Sequence, residues 1–104
     1  MSALLMISRH NHEIGRIVLS TARILLGRSP ECDVILEDED VSRRHAVITA
    51  DDDGYTLQDA GSRNGVAING DLLTTPRLLK PRDVITIGGY TIRFELTPTD
   101  PEDY

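Results

Sequence analysis

The chain of 104 residues has no tryptophan, one phenylalanine and one cysteine, Cys32. A single thiol allows no internal disulfide, so packing alone must hold the fold, and a reducing, cytoplasmic setting is expected. Scarce aromatics exclude the stacking platform that binds single-stranded nucleic acid and demand an aliphatic core. A formal net charge of −6 removes the positive field on which generic binding to nucleic acid or an anionic membrane depends. No apolar run reaches the length of a membrane span, and no basic region precedes the short run Leu4 to Ile7, so neither a span nor a signal peptide is expected. No window sustains a 3.6-residue period, which argues against helices. Walker loops, paired-cysteine metal motifs and dinucleotide fingerprints are all missing.

What is present reads as one soluble β domain. Hydrophobic residues make up 39% and charged residues 27% of the chain, ordinary for a globular unit, and the length suits a single core. Short strand-like runs recur with turn signals between them: Leu4 to Ser8, Gly15 to Ser20, Arg23 to Leu26, Asp33 to Leu36, His45 to Ala50, Tyr55 to Asp59, Val84 to Ile87 and Tyr90 to Leu96. This pattern predicts an all-β sandwich or barrel. Tyr90, Ile92, Phe94 and Leu96 alternate and should face the core. Asn64-Gly65 and Asn69-Gly70 carry the strongest short hairpin signal, and Pro76 and Pro81 punctuate a polar link. Residues 1–97 form the predicted domain; residues 98–104, with two prolines and three acids, read as a flexible tail or the start of a linker.

The stretch from Val41 to Gly65 concentrates the chemistry. Ser42, Arg43, Arg44 and His45 precede one strand of a predicted hairpin, and Arg63, Asn64 and Gly65 follow the other, so both donor groups come to the same end of a sheet. Gly27 is expected to let the chain turn sharply, and Arg28 starts the loop that follows. Guanidinium forks and a hydroxyl match a doubly charged phosphoryl group, and the amide of Asn64 suits the backbone of an extended peptide. Other chemistries fare worse. His10 and His12 are two ligands where zinc needs three or four. The run Glu37 to Asp40 lacks the spaced ligands and glycine of a calcium loop. Ser42 and His45 with Asp40 or Asp59 offer no nucleophile elbow. No metal, cofactor or catalytic residue is expected.

Gly27-Arg28, Ser42-Arg43-Arg44-His45 and Gly61-Ser62-Arg63-Asn64-Gly65 follow one another in the order and at roughly the spacing of the forkhead-associated (FHA) domain, which the chain resembles over about residues 4 to 96. The resemblance implies an FHA-type (SMAD/FHA-like) β-sandwich of about eleven mostly antiparallel strands that binds phosphothreonine-containing partners of Ser/Thr kinase signalling, without catalysis. It implies phosphate contacts from Arg28, Ser42 and Arg43, a peptide-backbone contact from Asn64, and structural support from Gly27, His45 and Gly65. Arg63 departs from the family's usual small polar residue and is assigned to the phosphate, while Val66 stands where threonine is common. The alternative is an FHA-like scaffold that assembles partners without phosphate.

Overall fold

The structure, a computed structural model, describes residues 2–97; the expected tail at 98–104 lies outside them. Eleven strands and no helix are formed among these residues. In chain order they are β1 (Ser2–Arg9), β2 (His12–Leu19), β3 (Arg23–Gly27), β4 (Val34–Ile35), β5 (Ala46–Asp51), β6 (Gly54–Asp59), β7 (Ala67–Ile68), β8 (Asp71–Leu72), β9 (Arg77–Leu78), β10 (Val84–Ile87) and β11 (Tyr90–Thr97).

Two sheets face each other. One runs β2-β1-β11-β10-β7-β8 and the other β4-β3-β5-β6-β9. Only β3 and β4 pair in parallel; every other pairing is antiparallel. The expected β-sandwich is therefore present, with three short strands, β7, β8 and β9, beyond the eight runs read from the sequence. β8 and β9 are two-residue edge strands, and β9 lies in what the prolines mark as a polar link. The first strand pair also differs from expectation. β2 begins at His12, and its turn is only His10 and Asn11, both left-handed with φ of 54° and 65°, as a two-residue type I′ hairpin requires.

Alternation fills the space between the sheets. Leu5 and Ile7 of β1, Ile85 and Ile87 of β10, and Ile92 and Phe94 of β11 meet Leu26, Ile48 and Leu57 of the other sheet, all buried. Tyr55 lies against Phe94 with ring centroids 5.6 Å apart and planes at 58°, a tilted geometry favoured by the ring quadrupoles. Leu96, expected in the core, is half-buried at its margin. Each fully buried large aliphatic side chain contributes about 1.5–3 kcal/mol, so this core suffices without tryptophan.

Three adjacent strands position the site. β5 pairs on one side with β3, Leu26 opposite Ala46, and on the other with β6, Ala46 opposite Asp59. Because neighbours run antiparallel, the end of β3, the start of β5 and the end of β6 share one edge of the sheet. The ladder continues past the strands: His45 N–H donates to the Leu26 carbonyl at 2.8 Å and Ala60 N–H to the His45 carbonyl at 3.0 Å. Arg28, Ser42 and Asn64 are distant in sequence and converge for this reason.

Candidate functional site

Ser42 stands at the centre, half-buried. Its Oγ accepts a hydrogen bond from the Arg63 N–H at 3.0 Å, and its own carbonyl accepts from the Arg28 N–H at 3.0 Å. The three loops that carry the predicted residues are thus joined through one serine. Its hydroxyl hydrogen is directed by none of these bonds and can donate to an incoming anion.

His45, fully buried, braces this loop. Nδ1 accepts from the Ser42 N–H at 3.0 Å, which places the ring hydrogen on Nε2, and Nε2 donates to the Gly65 carbonyl at 2.6 Å. One imidazole therefore ties the start of the Ser42 loop to the end of the Arg63 loop. A triad role is closed to it, since neither ring nitrogen faces the serine hydroxyl.

Arg28 directs Nε to the Val41 carbonyl at 3.0 Å, and Asn64 directs Nδ2 to the Asp40 carbonyl at 2.8 Å. Both residues are exposed. Arg43 and Arg63 are exposed beside them. The bland alternative for these arginines is neutralisation by nearby acids. Four ion pairs occur among the described residues, Arg9 with Asp38, Arg16 with Glu13, Arg44 with Glu31 and Arg93 with Glu95. None uses Arg28, Arg43 or Arg63, and Arg44 turns to Glu31, away from the cluster. Arg28, Arg43 and Arg63 thus have no ion-pair partner among the described residues, and they lie on loops that are joined through Ser42. Arg28 shares a shallow depression with Glu37, Asp38 and Glu39, and Asn64 opens onto a second with Asp40, Gly65, Ala67, Thr86 and Gly88.

The glycines support the site by two different means. Gly27 was expected to permit a sharp turn, but it is the last residue of β3 without a left-handed φ. Its requirement is steric: a Cβ would lie 2.2 Å from the Arg43 carbonyl oxygen and 3.0 Å from Cys32 Sγ. That carbonyl accepts from Ser29 N–H and from the Cys32 thiol, and burial pushes the thiol pKa up, keeping it a neutral donor. Gly65 does need the left-handed region, at φ 86°.

Sequence reasoning missed the loop-shaping role of Asp59 and Ser62. Asp59 Oδ1 accepts from the N–H groups of Gly61 and Ser62, Asp59 Oδ2 accepts from Ser62 Oγ, and Ser62 Oγ accepts in turn from Gly65 N–H. This side-chain network shapes the loop that presents Arg63 and Asn64. The signal was available, because an aspartate followed by Ala-Gly-Ser is an Asx-turn sequence. Among the described residues, no cluster of three or more His, Cys, Asp or Glu side chains could hold a metal ion.

Comparison with known proteins agrees with this arrangement. The FHA domain family profile matches residues 24–88. The glycogen accumulation regulator GarA of Mycobacterium tuberculosis is 33% identical over 102 residues, covering 98% of this chain, and the chain spans 62% of GarA's length. The oxoglutarate dehydrogenase inhibitor of Corynebacterium efficiens is 34% identical over 97 residues, covering 93% of this chain and 68% of that protein. A solved FHA domain studied for its phosphothreonine-dependent interactions superposes with a TM-score of 0.84 at 28% identity, covering 94% of this chain and 99% of that one. The sandwich, the joined loops and the family match lead to one conclusion: the chain belongs to the FHA domain family.

Proposed function

We propose that this chain is a phosphothreonine-dependent peptide-binding module of Ser/Thr kinase signalling, acting by recruitment and regulation in the cytoplasm. Arg28, Arg43 and Arg63 supply charge-assisted bonds to the phosphate, and Ser42 donates its hydroxyl. Asn64 pairs with the peptide main chain, exchanging or sharing its bond to the Asp40 carbonyl. The observation that carries this reading is that Ser42 joins the loops of Arg28 and Arg63, while Arg28, Arg43 and Arg63 make no ion pair among the described residues. Phosphothreonine-dependent binding by a structural relative supports it, and the regulatory names of GarA and the oxoglutarate dehydrogenase inhibitor support a partner whose activity is modulated.

Titration with a phosphothreonine peptide library and its unphosphorylated twin tests the proposal. Phosphorylated members should bind and their twins should not. Equal binding of both, or capture of a protein partner that phosphatase treatment leaves intact, would instead favour a scaffold that works without phosphate.

A further inference from the structure

The side chains of Arg28 and Asn64 are oriented by backbone carbonyls of a loop that lies outside the three recognised motifs. Arg28 Nε–H donates to the Val41 carbonyl and Asn64 Nδ2 to the Asp40 carbonyl. Residues Glu37 to Val41 therefore act as the jig for both, and what holds that loop decides where the two side chains point.

Two features hold it, each on the other sheet. The first is Arg9, at the end of β1. Its Nη1 donates to the Glu37 carbonyl at 3.2 Å, its Nη2 lies 3.9 Å from Asp38 Oδ2, and its guanidinium carbon stands 5.0 Å from the centroid of the Tyr90 ring. Tyr90 donates its hydroxyl to the same Glu37 carbonyl at 3.3 Å. Arg9 Nε is buried and has no acceptor, which disfavours the placement, so the contacts to the loop and to the ring must outweigh it. The second is the Gly88-Gly89 turn between β10 and β11. Asp38 Oδ2 accepts from the Gly89 N–H at 2.9 Å and Oδ1 from the Asp40 N–H at 3.0 Å. These N–H groups, Asp40's first, hold the Asp38 carboxyl below its usual range. The turn touches the loop so closely that a Cβ on Gly88 would be 2.8 Å from Val41 Cγ2 and one on Gly89 would be 2.9 Å from Asp38 Oδ2.

We propose that Arg9 is a positioning residue for ligand binding, which together with the Gly88-Gly89 turn fixes the Glu37 to Val41 loop and through its carbonyls sets the direction of Arg28 and Asn64. The proposal rests on the phosphopeptide reading for its consequence, though the orientation itself belongs to the free domain. Arg9→Met keeps the apolar stem and removes the guanidinium. Gly89→Ala leaves Arg9 in place and displaces only the end of the Asp38 side chain.

The test combines two measurements on each variant and the wild type. In the free domain, hydrogen exchange of the Arg28 Nε–H and Asn64 Nδ2 protons by NMR reports their bonds to the loop, with β5 amide protection as the check on folding. Calorimetry with one phosphothreonine peptide reports binding. Each folded variant should lose the side-chain protection and bind about tenfold more weakly, while β5 amides exchange as in wild type. Should Arg9→Met not fold, Arg9→Gln, which keeps a polar side chain but loses the guanidinium, takes its place with the same expected result, and Gly89→Ala tests the turn's share. Retained protection of both side chains in a folded variant would overturn the proposal. A wild type that fails to distinguish the phosphopeptide from its unphosphorylated twin would sink the functional reading instead, and the exchange measurement would still decide the positioning.

Discussion

Asn64-Gly65 and Asn69-Gly70 are the same dipeptide five positions apart, and they do different work. At the second pair both residues are left-handed, with φ of 53° and 88°, and they turn the hairpin from β7 to β8. The Asn69 side chain points inward: Nδ2 donates to Asp83 Oδ1 at 2.9 Å, and Oδ1 accepts from the Val84 N–H. At the first pair only the glycine is left-handed. Asn64 reaches across the chain to Asp40, and Gly65 offers its carbonyl to His45. One pair fastens a turn to the core, the other presents an amide at the surface. The dipeptide sets what the backbone tolerates, and the residue that receives the asparagine side chain sets its use.

The largest separation between the two regions should appear on removing the buried acceptor of the second. Asp83 is 5% exposed and holds both Asn69 Nδ2 and the Lys80 N–H. Asp83→Ala leaves these donors without a partner, a loss of about 2–3 kcal/mol in stability. Denaturant unfolding should show it, and peptide affinity measured well below the melting temperature should be unchanged. A large affinity loss would mean that the two regions are not independent.

His45→Ala joins the two properties. Removing the imidazole strips Ser42 N–H and the Gly65 carbonyl of their partner, with an expected cost of about 1–3 kcal/mol and weaker binding because the Ser42 loop loosens. Unaltered stability with abolished binding would make His45 a direct ligand, contrary to its full burial.

Asn64→Ala and Asn69→Ala form the crossed pair. The first should bind peptide about tenfold more weakly with an unchanged melting curve. The second should keep its affinity and lose about 2 kcal/mol of stability, because two hydrogen bonds go and Ala replaces Asn in the left-handed region. If both lowered stability equally and neither touched binding, Asn64 would be a turn residue like its neighbour.

The smallest effects are at the glycines. Gly65→Ala and Gly70→Ala each place a Cβ in the left-handed region, a strain of about 1–2 kcal/mol. Nothing lies within 4 Å of a Cβ at Gly70, whereas at Gly65 it would meet Leu72 Cδ1 at 3.0 Å. Gly65→Ala should therefore be slightly the less stable of the two by thermal unfolding, and an inverted order would show that Leu72, an exposed edge residue, simply moves aside.

Much of this was legible in the residues. The alternation of Tyr90 to Leu96 marks β11, and the β-branched run before the Asp51 to Gly54 turn marks β5, because packing between two sheets imposes the period on the sequence. β8 and β9 carry no such mark. Asp71, Leu72 and Leu78 are exposed, and these two-residue strands exist only because Ala67-Ile68 and Thr56-Leu57 offer them partners. Convergence of Arg28, Ser42 and Asn64 followed from the order of the motifs and from resemblance, but its cause is the β3-β5-β6 adjacency, a long-range pairing that spacing alone does not determine. The role of Gly27 was misread because a glycine before a loop looks like a turn, and only the neighbouring Arg43 carbonyl shows the steric reason. Asp59 was weighed only as a triad acid, although its Asx-turn sequence made its loop-shaping role readable.

The most direct test of the central claim is calorimetric titration of Arg28→Ala with a phosphothreonine peptide that wild type binds. A charge-assisted bond to phosphate contributes about 1.5–3 kcal/mol, so affinity should fall roughly tenfold to a hundredfold while the melting curve stays as in wild type. An unchanged dissociation constant in the folded variant would contradict the account, because the phosphate would then be held by something other than the loops that Ser42 joins.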